Sequence, residues 1–131
     1  MEQLSVFIEN RVGTLAEAVG ILAREGVDIR AFCLSDTADF GVMHMIVSDT
    51  ARAAAALREG GYVVSADDVL AVEADDRPGA FFRVLTTLAQ AGVGVEYSYA
   101  FTSAKDADRA HFIMKTTDRA AAERALAENR A

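Results

Sequence analysis

The stretch Asn10-Arg11-Val12-Gly13-Thr14-Leu15 returns later in the chain as Asp76-Arg77-Pro78-Gly79-Ala80-Phe81. The offset is 66 residues, and it holds without a gap as far as residues 29 and 95. Both copies contain an arginine, a turn glycine, apolar residues at helical spacing and a second glycine after the helix. Two unrelated helices would not share both flanking glycines. The sequence therefore predicts an internal duplication, with one module over residues 1–66 and another over residues 67–131.

The first copy has the pattern of a small unit of strands and helices. Alternating apolar residues predict a strand over Leu4–Ile8, and helix-spaced apolar residues follow until Gly26, which is suited to a left-handed helix end. A second helix is predicted over Thr50–Glu59, capped by Asp49 or Thr50. Further strands are predicted over Val27–Ser35, Val42–Val47 and Tyr62–Ser65, with a hairpin turn at Ala38–Gly41.

The second copy repeats this order but is shorter. Strands are predicted over Val69–Ala74, Val93–Phe101 and His111–Thr116, with a polar loop at Ser103–Asp108 and a last helix at Asp118–Glu128, capped by Thr117 or Asp118. The order is βαββαβ and then βαββα. It predicts the α+β class, in ferredoxin-like units with helices on one face of an antiparallel sheet. No residues remain for the last strand of the second module, so we expect an open sheet edge there or another element that pairs with it.

Composition and charge disfavour several classes of partner. The chain has 131 residues, 52% of them apolar, and a formal net charge of -7. An acidic protein without a cluster of Lys and Arg repels nucleic acid and anionic membranes at long range, so neither is an expected partner. The N-terminus lacks the pattern of a signal peptide, and Cys33 is the only cysteine, so a cytoplasmic location is expected.

The repeated turn resembles a family signature. Asp76–Phe81 resembles the D-R-P-G-x-L/F motif that opens the first helix of ACT domains, and Asn10–Leu15 is similar, with Asn for Asp and Val for Pro. Ala89–Val95 and Ala23–Ile29 resemble the A-x-x-G-I-N-I end of that helix. The stretches Ala38–Gly41 and Glu96–Phe101 resemble those of stand-alone tandem-ACT amino-acid-binding proteins of bacteria.

This resemblance implies a regulatory function. ACT domains are ligand-binding modules that commonly bind amino acids where the first strand–helix loop of one module faces the other module. They pair side by side, within one chain or across a dimer, into a continuous antiparallel sheet. A continuous sheet and no cofactor are therefore expected. A homodimer is expected as well, because the incomplete second module leaves an unfinished sheet edge. The site positions carried over from the family are Asn10–Leu15 and Asp76–Phe81.

The loop residues also suit an amino acid on chemical grounds. Gly13 and Gly79 allow a close backbone approach. The N–H groups of the next two residues in each loop lie at a helix N-terminus, which favours a carboxylate; they belong to Thr14, Leu15, Ala80 and Phe81. Asn10 and Asp76 have two interpretations, because their oxygens suit an ammonium group but both residue types are also common caps and turn formers. Arg11 and Arg77 suit a ligand carboxylate, although pairing with a nearby acid is the expectation we favour.

Other candidate residues lie outside the loops. Tyr97, Tyr99 and Phe101 alternate along one strand, where one face would pack against helices and the other would line an interface or a pocket; core packing is the favoured interpretation. Ser35 and Cys33 on the matching strand of the first module have the same two interpretations.

The remaining chemistry-bearing residues form no recognisable site. His44 and His111 with Cys33 do not have the spacing of a metal site, and a structural or exposed role is favoured for both histidines. We identify no catalytic triad, no phosphate loop and no rigidly framed pair of carboxylates.

Three functions therefore compete. The favoured hypothesis is a non-catalytic sensor that binds a free amino acid, and apolar and aromatic residues near the expected interface suggest an apolar or aromatic ligand. The second is a regulatory subunit that docks on an enzyme of amino acid metabolism and controls it by feedback; an exposed apolar strip or an unpaired strand edge would favour it. The third is a small enzyme, for which the sequence supplies no acid or base.

Overall fold

The computed structural model describes residues 1–36, 40–101 and 108–129, which group into two compact units. One unit is Glu2–Asp68, and the other comprises Met1 and the chain from Val69 onward. The predicted hairpin turn at Ala38–Gly41 and the loop at Ser103–Asp108 lie largely outside the described residues. No helix among the described residues is long and apolar enough to cross a membrane.

The first module is a complete βαββαβ unit. Its elements are β1 (Glu2–Glu9), α1 (Thr14–Arg24), β2 (Ile29–Asp36), β3 (Phe40–Val47), α2 (Thr50–Glu59) and β4 (Val63–Asp68). The strand order is β2-β3-β1-β4, and every neighbouring pair is antiparallel. Leu4, Val6 and Ile8 alternate along β1 and are buried with Leu22 of α1 and Leu57 of α2. Both helices therefore cover the same face of this sheet.

The second module repeats the architecture with three strands. It comprises β5 (Leu70–Asp75), α3 (Ala80–Gln90), β6 (Val95–Phe101), β7 (Arg109–Thr116) and α4 (Arg119–Glu128). The order β5-β7-β6 matches β1-β3-β2, and among the described residues no strand pairs with the outer side of β5. Leu70 and Val72 are buried with Leu88 and Met114. The predicted lack of a last strand in this module is confirmed.

The strands form one hydrogen-bonded sheet in each module, whereas one continuous sheet was predicted. The reason lies in the pairing partners: β4 pairs with β1 and β5 pairs with β7, so each uses strand partners from its own module. Element bounds differ from prediction by up to three residues. β4 continues to Asp68, and Phe40 and Gly41 belong to β3 instead of the hairpin turn.

The caps and glycines are as the sequence indicates. Asp49 accepts a hydrogen bond from the amide of Arg52, and Asp118 accepts one from Ala121, so both alanine-rich helices begin with an aspartate cap. Gly26 has a φ of 69°, the left-handed conformation predicted for the end of α1. Asp49 and Asp118 are 69 residues apart, whereas the two strand–helix loops are 66 residues apart. The second module is therefore three residues longer than the first between its first helix and its second.

A β-bulge at the start of β2 and of β6 determines which side chains face the helices. The register shifts between Ile29 and Ala31 in β2, and between Val95 and Tyr97 in β6. Ile29 and Val95 pack against the helix-side cores. One residue of shift reverses the faces beyond each bulge, and this reversal positions the candidate residues on both strands.

Candidate functional site

The β1–α1 and β5–α3 loops have the same backbone geometry. Gly13 has φ 89° and ψ -13°, and Gly79 has φ 89° and ψ -12°, so both are left-handed residues immediately before a helix. The amide of Arg11 donates to the carbonyl of Glu9 at 2.9 Å, and Arg77 donates to Asp75 at the same distance. A residue with a side chain is strained at this φ, which explains the glycine in both copies.

Two backbone amides at the start of each helix are available to a ligand. The amide of Thr14 donates to the carbonyl of Arg11 at 3.2 Å, so it closes the turn, and Ala80 does the same with Arg77. Neither helix has a side-chain cap. Within the described residues the next two amides, of Leu15 and Ala16 in α1 and of Phe81 and Phe82 in α3, have no hydrogen-bond acceptor. The donors thus lie one residue further along than the sequence suggested.

The loop arginines pair with acids of their own strands. The Arg11 Nε lies 2.7 Å from the Glu9 Oε2, and the Arg77 Nη2 lies 3.6 Å from the Asp75 Oδ2. The Asp75 carboxylate also accepts from Arg109 at 2.7 Å. All these side chains are solvent-exposed or half-buried, so each pair contributes little to stability.

The other loop side chains divide into buried and exposed positions. Thr14 and Ala80 are buried, whereas Val12 is fully exposed and Pro78 is exposed as well. Leu15 and Phe81 occupy matching positions after the glycine, with 38% and 37% of their surface exposed. The Phe81 ring contacts Phe112, with 4.6 Å between ring centroids. An apolar side chain therefore lies beside the free amides in each module.

Ser35, Tyr97 and Tyr99 are not brought to these helix starts within their modules. Tyr99 lies opposite Ile113 and Tyr97 opposite Lys115, whereas the helix-facing residue of that segment of β7 is Met114. The tyrosines therefore lie on the sheet face opposite the helices. The bulge after Val95 reverses the alternation, so the tyrosines do not pack against the helices as favoured. Tyr99 is nevertheless buried, on the other face of the sheet.

Phe101, Ser35 and Cys33 follow the same rule. Phe101 stacks on His111, on the same sheet face as the tyrosines, with 5.0 Å between ring centroids. Ser35 and Cys33 lie opposite Val42 and His44, again on the face away from the helices, because β2 has the equivalent bulge.

A polar cluster on the first sheet was not found from the sequence. The His44 Nδ1 lies 2.9 Å from the Ser5 Oγ and 3.2 Å from the Gln3 Nε2, and both Gln3 and Ser5 are buried. Burial lowers the pKa of His44 below its ordinary value of 6.5, and the negative charge of Asp67 opposes this shift. The polar residues Gln3 and Ser5, two positions apart on a predicted strand, were the available signal. Among the described residues no group of three or more metal-ligating side chains has a suitable arrangement.

A groove adjoins the second loop. It has a volume of about 1040 Å³ and runs along the outer side of β5, beneath α3 and α4. Arg77 and Ala80 of the candidate site line one end of it, and Leu126 and Ala127 of α4 line another part.

Comparisons with known proteins agree with this architecture. A family model described as an ACT domain pair matches residues 1–130. A solved structure of a protein from Bacteroides thetaiotaomicron is 33% identical, with a TM-score of 0.92, covering 98% of this chain and 88% of that one. The ligand-free regulatory subunit of aspartate kinase from Thermus thermophilus is 20% identical, with a TM-score of 0.73, covering 99% and 93%.

The corresponding aspartate kinase subunit from Thermus flavus is also 20% identical, with a TM-score of 0.66, covering 97% of this chain and 90% of that one. At this identity both Thermus structures show a shared fold. No curated protein matches the chain.

Proposed function

Since the chain belongs to the ACT domain pair family, we propose that it is a non-catalytic regulatory sensor that binds a free amino acid at its strand–helix loops. The observation that carries this proposal is the pair of unbonded amides after Gly13 and Gly79. Two adjacent donors at a helix N-terminus suit the two oxygens of a carboxylate, and the helix dipole adds to the attraction. The cytoplasmic location expected from the sequence forms part of the same proposal.

The neighbouring side chains supply the rest of an amino acid site. The Asp76 carboxylate and the Asn10 amide oxygen lie in the same loops and suit an ammonium group. Leu15 and Phe81 present apolar surface directly beside the free amides. We therefore favour an apolar or aromatic amino acid as the ligand.

Thermal unfolding against single amino acids tests this function. A ligand at about 100 times its dissociation constant adds roughly 2.7 kcal/mol to the folded state, which raises the midpoint by several degrees. We expect a shift with one L-amino acid or a few related ones, and none with their D-enantiomers at the same concentration. Equal shifts with both enantiomers, or no shift with any amino acid, would refute the proposal.

A second candidate function, docking on a regulated enzyme, is favoured by apolar side chains on the edge strand β2. Phe32 and Leu34 are 63% and 45% exposed, and β2 pairs with a strand only on its β3 side within the described residues. A homodimer would cover the same strip. These two occupants give different results with a double Phe32→Ser and Leu34→Ser variant.

Light scattering on a size-exclusion column separates the occupants. A homodimer through this strip predicts about twice the chain mass of 14.0 kDa for the unmodified protein, and the chain mass for the double variant. A monomer of unmodified protein leaves the strip available to another protein and favours the regulatory subunit. A dimer unchanged by the double variant excludes the strip as its interface.

A further inference from the structure

Four residues after the loop glycine, the two modules carry opposite charges. This position is Glu17 in α1 and Arg83 in α3, and the backbone around it is the same in both modules. The Glu17 amide donates to the Gly13 carbonyl at 2.9 Å, and the Arg83 amide donates to the Gly79 carbonyl at 3.0 Å. Both residues are exposed, so packing requires neither charge. The difference between the modules is therefore an electrostatic one at the loop.

The side chain of Arg83 lies over the second loop. The Cα–Cβ bonds of a helix tilt toward its N-terminus, so a side chain near the start of a helix covers the loop before it. In agreement, the Arg83 Nη1 lies 3.6 Å from the position that a Cβ would take on Gly79. Arg77 and Arg109 nearby both pair with Asp75, whereas Arg83 forms no salt bridge with any acid that the structure describes. The charge of Arg83 is therefore available to a ligand.

Glu17 brings a negative charge to the first loop. Burial, the largest cause, raises the pKa of the Tyr62 hydroxyl above its ordinary value of 10.0; the nearby Glu17 carboxylate raises it further, and the positive charge of Arg11 lowers it. Glu17 and the loop residue Arg11 therefore both lie close to Tyr62. Arg11 already pairs with Glu9 at 2.7 Å. A ligand carboxylate at the start of α1 would thus approach an acid that itself benefits from the helix dipole.

The first residue of each loop adds to the difference. An amino acid zwitterion is complemented by an anion beside its ammonium group and a cation beside its carboxylate. The second loop has both, in Asp76 and Arg83, whereas the matching residues Asn10 and Glu17 are neutral and negative. Charge-assisted hydrogen bonds are about twice as strong as neutral ones. Reversing one charge about 5 Å from a carboxylate changes affinity roughly tenfold even at the dielectric constant of water.

We propose that the two loops bind the same amino acid with unequal affinity, and that Arg83 and Glu17 set the difference. Arg83 holds the ligand carboxylate at the second loop, which fills first, and Glu17 weakens the first loop. The inference rests on the proposed function, because it concerns the order in which the two loops are occupied. A chain with two such sites responds over two ranges of amino acid concentration.

Amide spectra of the full chain measure the two loops separately. The ¹⁵N-labelled protein is titrated with each of the twenty common L-amino acids in turn, and the Kd is taken from the amides of Leu15 and Ala16 and from those of Phe81 and Phe82. For an amino acid that binds, we expect the second pair to give a Kd at least tenfold lower than the first. Equal values, or a lower value at the first loop, would overturn this inference and leave the proposed function standing. No shift at either loop with any amino acid would refute both.

Variants that change only charge test the cause. Arg83→Gln should weaken the second loop about fourfold and Glu17→Gln should strengthen the first about fourfold, each without effect on the other loop. Arg24→Gln removes the same charge in the last turn of α1 and should change neither Kd. The double variant Glu17→Arg with Arg83→Glu should reverse the order of the loops, which a merely structural role of either side chain would not do. Circular dichroism checks that all variants are folded, and an unchanged order in the folded double variant would overturn the proposal.

Discussion

Gly13→Ala should weaken amino acid binding, whereas Gly26→Ala should leave it unchanged although it strains the backbone in the same way. Gly13 has φ 89° and Gly26 φ 69°, and a Cβ added at either meets no atom within 4 Å. Neither substitution creates a clash, so each costs only the strain of a left-handed alanine, about 1–2 kcal/mol. The two variants should lose similar stability, roughly 4–8 °C of midpoint for each kcal/mol in a unit of this size.

The difference between them should appear only with ligand. Gly13 sets the direction of the free amides of Leu15 and Ala16, and its Cβ enters the open space before them, whereas Gly26 lies at the other end of α1. If Gly13→Ala weakens binding tenfold, a ligand at about 100 times the original dissociation constant adds about 1.4 kcal/mol instead of about 2.7 kcal/mol. The ligand-induced rise in midpoint should therefore fall to about half, and it should stay complete in Gly26→Ala.

Gly79 and Gly92 form the matching pair in the second module. Gly92 has φ 74° with no atom within 4 Å of an added Cβ, and at Gly79 only the Arg83 side chain comes near, at 3.6 Å. Differential scanning fluorimetry with and without ligand measures all four variants. A loss at Gly13 alone assigns the ligand to the first module. The reasoning is refuted if Gly26→Ala reduces the ligand effect as much as Gly13→Ala, or if neither loop variant changes it.

Three further predictions concern stability. Burial lowers the folded-state pKa of His44 below the unfolded value of about 6.5, so stability from the neutral imidazole is present above that pH and lost as pH falls below it. Urea unfolding measured from pH 7.5 to 5 should therefore show a smaller loss of stability in His44→Gln than in the unmodified protein. Val12→Pro should raise stability by about 0.4–1 kcal/mol in the same assay, since Pro78 occupies the matching position of an identical loop. Leu57→Ala should cost about 2–5 kcal/mol by thermal unfolding, and Leu126→Ala less, because its groove-lining side chain is only half-buried.

Much of the fold could be predicted because its determinants are local. The glycines before and after α1 and α3, and the aspartate caps Asp49 and Asp118 of the other two helices, depend on a few neighbouring residues. Such signals mark where helices begin and end even in a single sequence. The duplication then repeats each signal, so the two modules support each other's assignments.

The candidate site was less predictable because it depends on register and on single hydrogen bonds. Alternation correctly placed Tyr97 and Tyr99 on one face, but the bulge after Val95 determines which face, and no residue type marks that bulge. Likewise, only coordinates show that the Thr14 amide closes the turn and leaves the next two amides unbonded. The His44 cluster escaped notice because it joins two strands that are about 40 residues apart in the sequence.

The two loops are alike because their geometry does not depend on the sheet edge. The turn-closing hydrogen bonds that both loops share lie within residues 9–17 or 75–83. A module with three strands can therefore hold the same pair of amides as a module with four. Differences in ligand binding between the modules must then come from side chains: Asn10 against Asp76 for the ammonium group, and Val12 against Pro78 for loop stiffness. The fourth strand of the first module is therefore not needed to shape its loop, since the second loop has the same backbone geometry beside three described strands.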